Sequence, residues 1–167
     1  MELSQKHRRF LLIDQCLIPT IINFVMNGLI AWLLNRSAST IPIWQGSSVA
    51  LDLIATAFIL PFAICIIVSA TITKKVNSGK IAPLPPHQFP NSRWFKRLAL
   101  FRGLFLGITG VIFGALPIVW ALILGQAQPL PVMSYVLFKA VWAALIASLI
   151  TPLVGWWALA NASRKFV

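Results

Sequence analysis

Four ionisable residues stand inside stretches that are otherwise apolar: Asp14, Asp52, Arg102 and Lys139. A charge at the centre of a membrane helix costs about 2.5–3.5 kcal/mol on insertion scales. Such residues therefore pair with one another, reach for the headgroups, or mark the path of an ion or solute. Asp14 and Arg102 are each the fifth residue of their stretch, which gives them a common depth near one membrane face. Asp52 and Lys139 lie toward the opposite face. Two ion pairs are expected on this basis, Asp14 with Arg102 and Asp52 with Lys139, each tying one half of the chain to the other. Snorkelling of the side chains toward the headgroups competes with pairing, most strongly at Arg102.

Amides extend the polar pattern. Gln15, Asn23 and Asn27 recur at multiples of four, with Pro19 at the missing position, and Thr56 stands one helical turn from Asp52. Amides in hydrocarbon need partners, so this face must look toward protein or water. On the functional reading, Asn23, Asn27, Asp52, Thr56 and Lys139 line a path or small-molecule pocket, and Asp14 with Arg102 forms a gate at its inner end. On the plainer reading, the same groups are interhelical hydrogen-bonding glue.

Other chemistry is not provided for. The chain has no nucleotide-binding loop, no GxSxG nucleophile motif, no HExxH helix and no thiol pair for redox work. His7 and His87 lie in basic segments with no carboxylate or thiolate at ligand spacing, so no metal site is expected. The apolar stretches hold no histidine for bis-histidine haem ligation. Cys16 and Cys65 fall inside those stretches and read as small core hydrophobes. Neither catalysis nor a cofactor is expected.

The elements that must position these groups are membrane spans. Of 167 residues, 59% are hydrophobic and 10% charged, against about 25% charged in a soluble domain. A water-soluble enzyme, a disordered chain and a disulfide scaffold all fit this composition poorly. A span needs about 20 mostly apolar residues. Four stretches qualify: Phe10 to Leu34, Val49 to Ile72, Leu98 to Leu124 and Val132 to Ala160. Their apolar character runs all round, without the period-two alternation of a barrel strand. The expected fold is an all-α, polytopic, single membrane domain. The first stretch is too long for the apolar region of a signal peptide and carries Asp14, Gln15, Asn23 and Asn27, so it is read as a span.

Fourteen Lys and Arg against three acids give a net charge of +11. Lys6, Arg8 and Arg9 precede the first span, six basic residues fill the 73–97 connection, and Arg164 and Lys165 follow the fourth. The other two connections hold only Arg36. The positive-inside bias puts both termini and the central linker in the cytoplasm, with the charge facing anionic lipid headgroups. No stacking motif accompanies the basic residues, so nucleic acid is not expected as a partner. Trp32, Trp44 and Trp120 at the outer ends, and Trp94, Trp156 and Trp157 at the inner ends, read as two aromatic belts. Trp142 falls inside the fourth span.

The two halves look related. Leu53-Ile54-Ala55-Thr56 precedes Pro61 as Leu145-Ile146-Ala147-Ser148 precedes Pro152, and the first and third spans each start after a basic pair. A tandem repeat of two helical hairpins would place a pseudo-twofold along the membrane normal. The 73–97 linker carries Pro83, Pro85, Pro86 and Pro90 and should be an extended strap, ending in an interfacial anchor, Arg93-Trp94-Phe95-Lys96-Arg97. Gly103, Gly107, Gly110 and Gly114 share one face of the third span, and Ala140, Ala144, Ser148 and Gly155 supply small residues on the fourth. Close packing of the third helix on the fourth, or on a second copy, is expected from these faces. Each span also holds a proline that bends it: Pro19, Pro61, Pro117 and Pro152.

The strings Asn27-Gly28-Leu29-Ile30-Ala31-Trp32, Pro42-Ile43-Trp44 and Asp52-x-Ile54-Ala55-Thr56-x-Phe58-Ile59-Leu60-Pro61-Phe62 resemble a pattern in small uncharacterised bacterial four-span integral membrane proteins. The resemblance covers mainly the first half of the chain. It implies a bacterial inner-membrane protein and nothing about activity. The expected function is a small transporter or channel-like protein acting as a homo-oligomer. The alternative is a non-catalytic accessory or scaffold subunit of a larger membrane complex, docked through the basic linker and the glycine face.

Overall fold

The computed structural model describes residues 5–46, 48–85 and 98–166. The part of the linker that holds Pro86, His87, Pro90 and the Arg93–Arg97 anchor lies outside the described residues. Four helices are long and apolar enough to cross a membrane: His7–Asn35, Val49–Asn77, Ala99–Leu124 and Val132–Phe166. They match the four apolar stretches of the sequence. The second runs more than a turn and the fourth three residues past the expected ends, because Thr73 to Asn77 and Asn161 to Ser163 continue the helical ladder into polar sequence.

The second helix starts at an N-cap, with Ser48 Oγ accepting from Leu51 N–H at 3.3 Å. It ends where Gly79 takes the left-handed conformation (φ 73°). There Gly79 N–H bonds Val76 O and Lys80 N–H bonds Lys75 O, the paired bonds of a Schellman stop. Pro83 and Pro85 follow in non-helical chain, as the proline content requires.

The four prolines do not act alike. Pro61 and Pro152 sit in uninterrupted α-helix. Pro19 and Pro117 each follow a π-helical stretch, Phe10–Leu17 and Val111–Ala115. Proline lacks an N–H and its ring presses on the carbonyl four residues back. Widening the preceding turn relieves that pressure, and the N–H groups just before the prolines bond five residues back, Ile18 to Ile13 O and Leu116 to Val111 O.

The helices pack in the order first, fourth, second, third. The fourth helix therefore lies between the first and the second. The third helix lies on the second, which corrects the expected packing of third on fourth. A methyl built on Gly103 would meet Phe62 and Cys65, one on Gly107 would meet Phe58, and one on Gly110 would lie 2.5 Å from the Ala57 carbonyl oxygen. Of that row only Gly114 faces the fourth helix, against Trp142. The small residues of the fourth helix instead receive the first: Gly28 abuts Ala140, and Gly155 abuts Gln15. The glycine spacing identifies a close-packing face, but spacing within one helix carries no information about which neighbour fills it.

The two ends are built differently. At one end, β1 (Thr40–Ile41) and β2 (Leu130–Pro131) pair antiparallel and join the two hairpin loops. The first of these loops then folds over the start of the second helix, where Val49 and Ala50 N–H bond Pro42 and Ile43 carbonyls. Ala31, Ile41, Val49, Ala50, Leu53 and Tyr135 are buried together beneath it. At the other end lie the first and last described residues, the exposed side chains of Arg8, Arg9, Lys74, Lys80 and Lys165, and the start of the linker. That linker start crosses the bundle: His7 Nε2 donates to Ala82 O at 2.9 Å, and Leu84 N–H donates to Ser163 Oγ at 2.8 Å.

Candidate functional site

In the hairpin-end half, Lys139 Nζ forms an ion pair with Asp52 Oδ1, linking the fourth helix to the second. Asp52 lies in the first turn of its helix, where the helix dipole also favours a carboxylate. The Tyr135 hydroxyl, one turn before Lys139, lies beside the same carboxylate. Side-chain exposure is 11% for Lys139 and 24% for Asp52, so the pair is largely shielded from solvent and lipid. Thr56, one turn further along the second helix, is buried.

The half nearer the termini is open. A groove of about 460 Å³ runs between the first and second helices, with Thr151 of the fourth on its floor. Ile18, Ile22, Leu60 and Ile67 give it apolar walls. Asp14, Gln15, Asn23 and Lys75 supply polar groups along one stretch. Gln15 is 7% exposed, and its side chain lies against Gly155. The Thr151 Oγ1 is buried without a hydrogen-bond partner. Asp14 and Lys75 also border a cleft of about 410 Å³ with His7, Phe10 and Lys80. There the Lys75 ammonium stands 5.9 Å from the Phe10 ring centroid, a cation–π contact.

The pairing of Asp14 with Arg102 does not form. Asp14 faces the groove on the first helix, whereas Arg102 is buried with its guanidinium 6.0 Å from the Trp157 ring. Equal depth says nothing about direction around the bundle axis, and the first and third helices sit at opposite ends of the packing order. The inner gate expected from these two residues has no counterpart here. Trp157 is buried beneath Arg102 and not in an interfacial belt, whereas Trp32, Trp44 and Trp120 are exposed.

The two asparagines of the amide stripe bond back along their own helix. Asn23 Nδ2 donates to Pro19 O at 2.9 Å and Asn27 Nδ2 to Asn23 O at 3.0 Å. The first of these uses a carbonyl near the proline break. Of the five residues expected to line one path, Asn23 borders the groove, Asn27 lies one turn past it, and Asp52, Thr56 and Lys139 lie in the packed half beyond. The sequence reading passed over Tyr135 and Thr151. Tyr135 was within reach as the residue four before Lys139. Thr151 carried no local signal, since only the groove reveals its position.

Cys16 donates its thiol to Ser148 O at 3.6 Å, and Cys65 is buried against Gly103. Among the described residues no three His, Cys, Asp or Glu side chains gather to hold a metal ion. Comparisons with protein-family models, curated proteins and solved structures return no match.

Proposed function

We propose that the protein is a small carrier of the bacterial inner membrane, with both termini in the cytoplasm, that moves a small solute along the groove between its first and second helices. The observation that carries this reading is an asymmetry of access. The half nearer the termini holds an open groove of about 460 Å³ edged by polar groups, whereas the hairpin-end half is latched by Asp52 and Lys139 around a buried core, and its crevice of about 550 Å³ between Trp44 and the third helix is lined by apolar side chains. Such a shape is that of a carrier open to one side, with the ion pair as the gate on the other. The apolar walls and the polar groups of Asp14, Gln15, Asn23 and Thr151 suit a solute with an apolar body and a polar end. The basic residues gathered at the terminal end support the cytoplasmic placement and contact with anionic lipids there. The groove is open on its lipid side, and a second copy of the chain would supply the missing wall. The packing order is unchanged when first is exchanged with third and second with fourth, which supports the duplicated hairpin.

The accessory-subunit alternative loses one of its two docking surfaces, because Gly103, Gly107 and Gly110 are occupied by the second helix. The carrier reading is tested by osmotic light scattering of proteoliposomes against small neutral, cationic and anionic solutes. Flux of at least one class above empty liposomes is expected, and its loss in Asp52→Asn and Lys139→Met with an unaltered elution profile. No flux of any class, or equal flux in both variants, would refute it.

A further inference from the structure

Arg102 has a buried guanidinium that no carboxylate among the described residues neutralises. The residue is 3% exposed, and its Nε and Nη1 have no hydrogen-bond partner. The chain has three acids. Asp52 is paired with Lys139, Asp14 borders the groove on the far side of the bundle, and Glu2 lies outside the described residues. The 86–97 stretch that leads into the third helix contains no carboxylate. Arg102 forms part of the wall of a crevice of about 470 Å³ between the second, third and fourth helices. Ser69, Thr73 and Asn161 also line it, among the small and apolar side chains of Ile66, Ala70, Ala99 and Ala158. The Ser69 Oγ is buried without a hydrogen-bond partner, with the Cys65 thiol beside it. Thr73 uses its proton on Ser69 O at 2.7 Å.

A buried cation without an anion is costly, and the ring behind it offsets only part of that cost. A cation, a buried hydroxyl with only a thiol beside it, and an amide around one crevice make up a set suited to an oxyanion. The planar fork of arginine matches phosphate with two parallel hydrogen bonds. Arg102 is the fourth residue of its helix, on the end that also carries the exposed basic side chains, which is the depth of the headgroups. Basic pockets between spans at that level hold lipid phosphates.

We infer that the crevice of Arg102, Ser69 and Asn161 is a phosphate-binding site, filled by the phosphodiester of a membrane lipid whose chains run down the apolar wall at Ile66. This site is separate from the groove of the proposed carrier and does not depend on that reading.

Native mass spectrometry of the full chain in detergent tests it, with added phosphatidylglycerol, with diacylglycerol of the same chains, and with inorganic phosphate. Wild type should retain phosphatidylglycerol about ten-fold more tightly than Arg102→Gln, and should not distinguish the two proteins in diacylglycerol binding. Arg102→Lys should fall between, because the charge stays and the fork is lost. Ser69→Ala, which leaves the arginine in place, should weaken binding about three-fold and serves if Arg102→Gln does not fold. Arginine-dependent binding of inorganic phosphate without lipid selectivity would keep the anion site and replace its source by the free ion. Equal phosphatidylglycerol retention in wild type, Arg102→Gln and Ser69→Ala would overturn the inference.

Discussion

The hairpin-end half and the half nearer the termini solve the same problem, polar groups among apolar helices, in opposite ways. In the hairpin-end half the polar groups face one another. Asp52, Lys139 and Tyr135 converge under a cap of paired loops, and the surrounding core is closed. In the other half, polar groups line space: Asp14, Gln15, Asn23 and Thr151 border a groove, and Arg102 borders a crevice. The difference follows from how the helices are held. Covalent loops and a strand pair gather the helices at one end, whereas at the other the first and second helices touch mainly near the linker, where Lys75 stands over Phe10 and His7 bonds Ala82 O. Polar residues in a membrane chain are therefore not all alike. Those that find partners act as fasteners, and those that line cavities are free to meet a ligand.

The sharpest way to break this contrast is to force apart the helices of the closed side. Gly110→Leu would drive a side chain into the Ala57 carbonyl, where even a methyl would lie at 2.5 Å. A loss of more than about 3 kcal/mol is expected, because a helix backbone cannot yield as a side chain can. Aggregation on size-exclusion chromatography, or a collapse of the melting temperature in detergent, is the measurement. An unchanged melting profile would show that the third helix is not seated as described.

The next effect is at the fastener itself. Lys139→Met strands Asp52 and should cost about 2 kcal/mol. This is less than the roughly 3–5 kcal/mol of fully enclosed pairs, because Asp52 keeps 24% of its side chain exposed. The double variant Asp52→Asn with Lys139→Met should recover part of that loss, since neither charge is then left alone. Thermal or denaturant unfolding of the two singles and the double gives the coupling. Additive losses would mean that the pair does not act as a unit.

The open side should respond in function and not in stability. Ala63→Trp places bulk in the groove that Ala63 lines. It should change the unfolding free energy by less than about 0.5 kcal/mol and abolish any solute flux in proteoliposomes. A strongly destabilised Ala63→Trp protein would show that the groove is filled by packed side chains in the membrane. A small effect on stability is also expected for Asn23→Leu. It removes a single bond to Pro19 O, which is worth about 0.5–1 kcal/mol, and the leucine recovers part of it. Melting curves compared with wild type check this.

Much of the architecture was legible in the sequence because one rule dominates it: a span must be apolar for about 20 residues. The pairing of Asp52 with Lys139 was legible because acids are so scarce that few partners exist. The partner of Arg102 was not, since depth along a span can be counted while its angular position depends on helix order. The same blindness explains the glycine face. Its spacing marks a close contact, yet only the completed bundle assigns it to Phe58, Ala57 and Phe62. The π-helical turns before Pro19 and Pro117 were visible only as bends to be expected from proline. Pro61 shows that the same residue can also sit in unbroken α-helix.

The packing order has a consequence for how the chain is made. The first helix rests chiefly on the fourth, which the ribosome delivers after the other three. Until Val132 and the residues after it have entered the bilayer, the second and third helices can already clasp each other through Gly103, Gly107 and Gly110. The first must wait alone in lipid, and Asp52 must wait beside an empty place. The four-helix bundle then closes with an insertion between earlier arrivals, and that helix both completes the packing and neutralises Asp52.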